Sequence, residues 1–166
     1  MAKIRTKAPS CSHFYPWPIV MVSCISAEGK PNIITLGASS VCSSDPPTVG
    51  IAVKPERYSY GLIVGSGDFG VNIPGPQLVE AIDFCGTHSG RDMDKFAAAG
   101  LTVQGPALIA SPLIAECPVS IECRLMHTVD LGSHHWLIGE IVATHIDEAL
   151  LDDKGRFRPS PDQALF

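Results

Sequence analysis

Val-Ser-Ile-Glu-Cys-Arg-Leu-Met, from Val119 to Met126, alternates strictly between apolar and polar side chains. Successive side chains of a strand point to opposite faces, so this period of two reads as a strand. It puts Val119, Ile121, Cys123 and Leu125 inward and Ser120, Glu122 and Arg124 outward. Downstream, the turn residues from Val129 to His135 lead into Trp136 to Ile146, the longest strand-like run in the chain. Upstream, Asp68 to Ile73 sets Phe69, Val71 and Ile73 on one face, and Thr48 to Val53 is a further apolar strand. Pro18 to Ile25 and Asn32 to Leu36, joined by the turn Ser26 to Pro31, read as a hairpin. Helical spacing is confined to short stretches, Gly61 to Val64 and Gln77 to Phe84, the latter with Leu78, Ala81 and Ile82 on one side. Short strands, few short helices and frequent turns argue for a mainly β fold, an antiparallel β-barrel with short helices. The expected organisation is one domain over residues 1–166, with a core at about 16–146 and a polar C-terminal arm from 147.

Composition narrows the function classes. Of the 166 residues 45% are hydrophobic and 17% charged, a globular balance. The net charge is −5 and no basic stripe is present, which argues against nucleic acid as a partner. No apolar run reaches the roughly 18 residues of a membrane span, so no membrane partner is expected and the cytoplasm is the expected compartment. Six cysteines are scattered without a C-x-x-C pair, and His13, His88, His127 and His145 have no metal-ligand spacing, so no metal site is expected.

Two corners favour an anion. Between Asp83 and Phe96, Gly86 and Gly90 bracket Thr87, His88 and Ser89, and the run continues through Arg91 and Lys95 into a helical start. A turn with hydroxyls and cations ahead of a helix places free N–H groups and the positive end of the helix dipole together. The competing reading makes Ser89 a helix cap and Lys95 a solvated cation. The second corner is Lys54, Arg57 and Ser59, where a strand passes into a helix. Ahead of both, Gly37 to Asp45 is rich in small residues and hydroxyls and is closed by Pro46 and Pro47, which reads as a loop against which a flat ligand can lie.

The blocks Pro16-Trp-Pro-Ile-Val20, Arg57-Tyr-Ser with Phe69-Gly-Val-Asn-Ile-Pro74, Cys85-Gly with Ser89-Gly-Arg-Asp-Met-Asp-Lys-Phe96, and Glu116-Cys-Pro-Val with Gly132-Ser-His134 occur in this order. In that order the chain resembles the flavin reductase-like, FMN-binding split-barrel proteins, and within them the flavoredoxin branch. The resemblance implies a Greek-key-like split barrel that forms a homodimer and holds FMN near the interface. It implies that Arg57 and Ser59, with Tyr58 between them, meet the phosphate from one side and Lys95, Ser89 and Arg91 from the other. Ser39, Ser40, Val41 and Cys42 would line the isoalloxazine, and Asn32 and His134 would approach the ring or ribityl chain. His134 is the side chain expected to matter for reduction, whereas His135 is expected to face away and Trp17 to serve packing. Some flavoredoxins carry a tryptophan over the flavin where this chain has Ala38.

The resemblance leads to an NAD(P)H-dependent FMN reductase in which hydride passes from NADH or NADPH to flavin N5. No Gly-x-Gly-x-x-Gly follows a strand, so a nicotinamide would share the flavin cleft. A flavoredoxin-like carrier reduced by an electron-transfer protein would use the same pocket. A third reading is a non-catalytic dimeric barrel that binds another anion.

Overall fold

The computed structural model describes Phe14 and residues 16–158, so Cys11, His13 and Phe166 lie outside the described residues. The chain opens with the expected hairpin, β1 (Val20–Ile25) and β2 (Pro31–Leu36), paired antiparallel with Cys24 opposite Asn32. There follow β3 (Ser39–Ser44) and β4 (Pro47–Val53), α1 (Tyr58–Ser66), β5 (Asp68–Ile73), α2 (Val79–Thr87) and α3 (Lys95–Ala98). The short β6 (Val103–Gln104) and β7 (Leu113–Ile114) precede the long hairpin β8 (Val119–Asp130) and β9 (His135–Ile146). Seven strands form one sheet in the order β2-β1-β5-β8-β9-β4-β3, with every pairing antiparallel.

The sheet curls around one core. Val22, Ile34, Ile51, Phe69, Cys123 and Leu137, from six strands, meet there with Ile63 of α1. Ile34 and Ile51 share this core although their strands β2 and β4 are not hydrogen-bonded to each other. The barrel is therefore split along a seam between β2 and β4. A second core lies outside β1 and β2, where Met21 and Ile33 pack against Leu78, Ala81 and Cys85 of the α2 region and Phe96 of α3. That cover gives the β2 side of the sheet two buried faces. α1 ends at Gly67, whose φ of 75° is left-handed and whose N–H caps the carbonyl of Ile63.

Three expectations change. Gly37 to Asp45 is not a loop: Ser39–Ser44 is the edge strand β3, and Pro47, the first residue of β4, pairs with Ser44. Proline is tolerated there because the first position of a strand needs no ladder donor. A register shift between Val41 and Ser43 leaves Cys42 bulged, which interrupts the edge.

Second, Ser120 and Glu122 do not face solvent. Glu122 is 0% exposed. Its carboxylate accepts hydrogen bonds from the backbone N–H groups of Ala107, Leu108 and Ile109 and meets His145 Nε2 at 2.6 Å. Asp68 of β5 holds the next two N–H groups, of Ala110 and Ser111. Asn72 accepts from Ile114 and Ser120 and donates to Met21 and Ser23. The segment from 105 to 114 thus hangs over the outer face of β5 and β8 on buried polar side chains.

Third, the start of the arm is packed. Asp147 donates its N–H to Pro118, Leu150 is buried, and Leu151 bridges to Phe157. Among the described residues no helix is long and apolar enough to cross a membrane.

Candidate functional site

Both anion-friendly corners open on the seam. α1 begins at Tyr58 with Arg57 as its N-cap residue, and no side chain caps it and no acidic residue sits in its first turn. Its first amides and dipole are thus left for an outside acceptor. From the other side, the chain after α2 brings in Ser89, Gly90 and Lys95. Ile34, Arg57, Ser59, Ser89, Gly90 and Lys95 line one narrow cavity of about 30 Å³. That is room for a group of a few atoms.

Lys95 is 3% exposed and donates to the carbonyls of Ile33 and Cys85, both at 2.8 Å. A lysine ammonium has three donors, so one remains for the cavity. Burial pushes its pKa down, the thiols of Cys85 and Cys24 push up, and the Arg57 guanidinium pushes down again; the net direction is down. Among the described residues neither Lys95 nor Arg57 is in an ion pair with a carboxylate. Two cations that repel each other with no counter-charge form a site for an anion.

The narrow cavity continues along the seam. Ile34, Arg57 and Gly86 also line a section of about 100 Å³, with Thr35 and Leu36 of β2 facing Ala52 of β4 and Lys54 just beyond its end. Ala52 and His134 are shared in turn with a wide section of about 590 Å³. Its walls are Trp17, Gly37, Ala38, Ser39, Ser40, Leu131 and Trp136, with no charged residue among them. The groove is therefore cationic at one end, a polar channel in the middle and broad and apolar at the other end.

His134 stands at the junction of the channel and the wide section. It is half-buried, and Ser133 Oγ lies 2.9 Å from its Nδ1, which leaves Nε2 as the ring atom that can meet a ligand. His135 is turned the other way and bonds Tyr60 through Nδ1 at 2.8 Å.

The remaining expected site residues divide. Arg57, Ser59, Ser89 and Lys95 are brought together, and Ser39 and Ser40 border the wide section. Val41 and Cys42 are exposed on β3, Val41 by 74%, and do not line the groove within one chain. Arg91 leaves the narrow cavity and lies over Tyr58, with its guanidinium carbon 5.7 Å from the ring centre. Tyr58 borders the narrow cavity on one side and a neighbouring pocket, with Arg91 and Lys30, on the other. Asn32 sits behind Ser59 and not along the groove, its Nδ2 donating to Ser59 Oγ at 2.8 Å. Ser89 does not cap a helix: α2 runs through Thr87, Asp94 caps α3, and the Ser89 hydroxyl accepts from the N–H of Arg91 in a turn.

Trp136, Ala52 and Thr35 were not singled out by sequence. Trp136 pairs with Ala52, and its ring lies diagonally over Gly50, where a Cβ would come within 2.3 Å of the indole. Strand register alone produces that contact. Trp17 packs over Gly37 as expected and also forms part of the wide wall. Among the described residues no three His, Cys, Asp or Glu side chains are grouped to hold a metal ion.

A family model described as the flavin reductase like domain matches residues 12–161. The chain belongs to the flavin reductase-like family. A protein of Archaeoglobus fulgidus is 31% identical over 84% of this chain and 79% of its own length. Among solved structures, the flavoredoxin of Desulfovibrio vulgaris (Miyazaki F) superposes with a TM-score of 0.86 at 30% identity, covering 95% of this chain and 83% of that one. An FMN-binding protein of Thermus thermophilus, solved with 1-cyclohex-2-enone, gives 0.82 at 27% identity, over 96% and 88%. The split-barrel architecture and the family agree with the seven-stranded sheet and its open seam.

Proposed function

We propose that the seam groove binds FMN and that the protein is a flavin-dependent oxidoreductase of the NAD(P)H:flavin reductase type. The observation that carries this is the order of the three sections. An anion cavity with two unpaired cations opens into a polar channel and then into a wide apolar slot, the order of phosphate, ribityl chain and isoalloxazine in FMN. Arg57, Ser59, Ser89 and Lys95 would hold the phosphate. Thr35, Lys54 and the backbone at Gly86 would flank the ribityl chain, and Ala38, Ser39 and Ser40 would let the ring approach the main chain closely. His134 would stand where the ring meets the chain, offering a donor or a cation to the ring edge and stabilising charge there without accepting a proton. When bound, FMN supplies the redox chemistry, taking a hydride at N5 from a nicotinamide and passing electrons on.

One observation favours a second reading. The wide section has no lysine or arginine on its described walls, so the diphosphate of a nicotinamide dinucleotide would find no partner there. A flavoredoxin-like carrier that keeps its FMN and is reduced by a protein needs none. In either reading the protein acts as a homodimer, with the exposed edge strand β3 and Val41 available to the partner.

The test is the visible spectrum with FMN added, followed by NADH or NADPH without oxygen. Rapid bleaching supports the reductase. A bound flavin reduced by dithionite but slowly by either nicotinamide selects the carrier, and failure to bind FMN overturns both. Sedimentation at equilibrium checks the dimer, and a monomer at working concentration removes it.

A further inference from the structure

Asn32 lies on β2 directly behind the narrow cavity and is 3% exposed. Its Nδ2 donates to Ser59 Oγ at 2.8 Å and lies 3.4 Å from Cys24 Sγ. Its Oδ1 is buried without a hydrogen-bond partner. The turn at Gly90 rests on this same oxygen, since a Cβ at position 90 would come within 1.9 Å of it.

A serine hydroxyl carries one proton and two acceptor sites. Because the Asn32 amide fills one acceptor site of Ser59, the Ser59 proton is left to point elsewhere, to the weakly accepting Cys24 sulfur behind it or into the cavity that Ser59 lines with Arg57 and Lys95. With the amide reversed, Oδ1 would draw that proton back and Ser59 would turn lone pairs toward the cavity, which repels an anion.

We infer that Asn32 is a positioning residue for the phosphate: by donating to Ser59 it aims the Ser59 proton into the narrow cavity and so makes the groove select a phosphorylated flavin over riboflavin. This rests on the reading that the narrow end receives the FMN phosphate. Asn32 itself does not line the cavity.

Dissociation constants for FMN and riboflavin, measured by quenching of flavin fluorescence, test the inference on the wild type, Asn32→Asp, Asn32→Ala, Ser59→Ala and Asn32→Ala/Ser59→Ala. Asn32→Asp keeps the shape but offers only acceptors when ionised, so FMN affinity should fall about tenfold or more while riboflavin affinity stays within about threefold. Asn32→Ala should fall on FMN alone, and the double variant should be no weaker than Ser59→Ala, because one residue acts through the other. Equal losses for both flavins, or single losses that multiply in the double variant, would overturn the inference. If neither Asn32 variant folds, Ser59→Ala reads the same proton, and an unchanged FMN-to-riboflavin ratio overturns it. A wild type with no preference for FMN overturns the phosphate reading beneath it; a wild-type preference combined with equal losses in the variants overturns the inference alone.

Discussion

Replacing Lys95 by methionine keeps the buried stem and removes the ammonium. Two backbone acceptors, on Ile33 and Cys85, lose their donors, each a loss of about 1–3 kcal/mol if left unsatisfied. Against this, the variant no longer buries a charge that has no carboxylate partner, so unfolding free energy should fall by no more than about 2 kcal/mol. The effect on ligand is larger. A hydrogen bond from a charged donor contributes about 1.5–3 kcal/mol, so FMN should bind about 10- to 150-fold more weakly while riboflavin is unaffected. The pH dependence has a definite sign. Burial lowers the Lys95 pKa below the usual lysine value, and only the protonated form attracts the phosphate. FMN affinity is therefore full below the folded pKa and declines as pH rises through it, and binding takes up protons in that window. Without ligand, the unfolded chain holds a proton between the folded pKa and the usual lysine value that the folded chain has lost, so this group makes stability rise with pH there. Fluorescence titrations of FMN and riboflavin from neutral to alkaline pH, on wild type and Lys95→Met, check both points. Equal FMN affinity in the two proteins, or the same alkaline decline in both, would refute the assignment of Lys95 to the phosphate.

Glu122→Gln should destabilise the fold by about 2–4 kcal/mol, because an amide cannot accept from all three N–H groups and from His145. Burial alone would raise the Glu122 pKa, but the hydrogen bonds from Ala107, Leu108 and His145 outweigh it and hold the pKa low. This stabilisation is thus present above the usual glutamate pKa and lost as pH falls through the folded value; urea unfolding across acid pH should show the variant lacking that part of the slope. Gly50→Ala drives a methyl group into Trp136 and should shift tryptophan emission and weaken FMN and riboflavin alike, at about 1–3 kcal/mol; unchanged emission and affinity would remove Trp136 from the wide wall. His134→Ala should slow anaerobic flavin reduction about tenfold with less than about a threefold change in FMN affinity, and an unaltered rate would leave His134 as lining only.

What was legible in the sequence was local. The hairpin β1–β2, β4 and β9 follow from apolar, β-branched runs bounded by turns, β5 and β8 from apolar alternation, and the corner at Arg57 and Ser59 from a strand running into a helix. β3 was not legible because its serines and Cys42 carry no apolar period, and an edge strand owes its existence to the neighbour it pairs with. Glu122 was misplaced for the converse reason. Alternation identifies two faces but cannot say that residues 107–109 will return to cover the second, and only a buried carboxylate with several donors makes that cover stable. The groove is harder still. It exists because β2 and β4 face each other without hydrogen-bonding, and a gap between strands leaves no periodic trace in either of them. The same gap explains why two anion corners, separated in the chain by β5 and α2, serve one cavity: each brings its charge to the open side of the barrel, the side where the sheet ladder does not close. On this account the chemistry of the site is written in Arg57, Ser59 and Lys95, but its selectivity depends on residues behind them. Asn32 is set in place by its pairing with Cys24 across a hairpin.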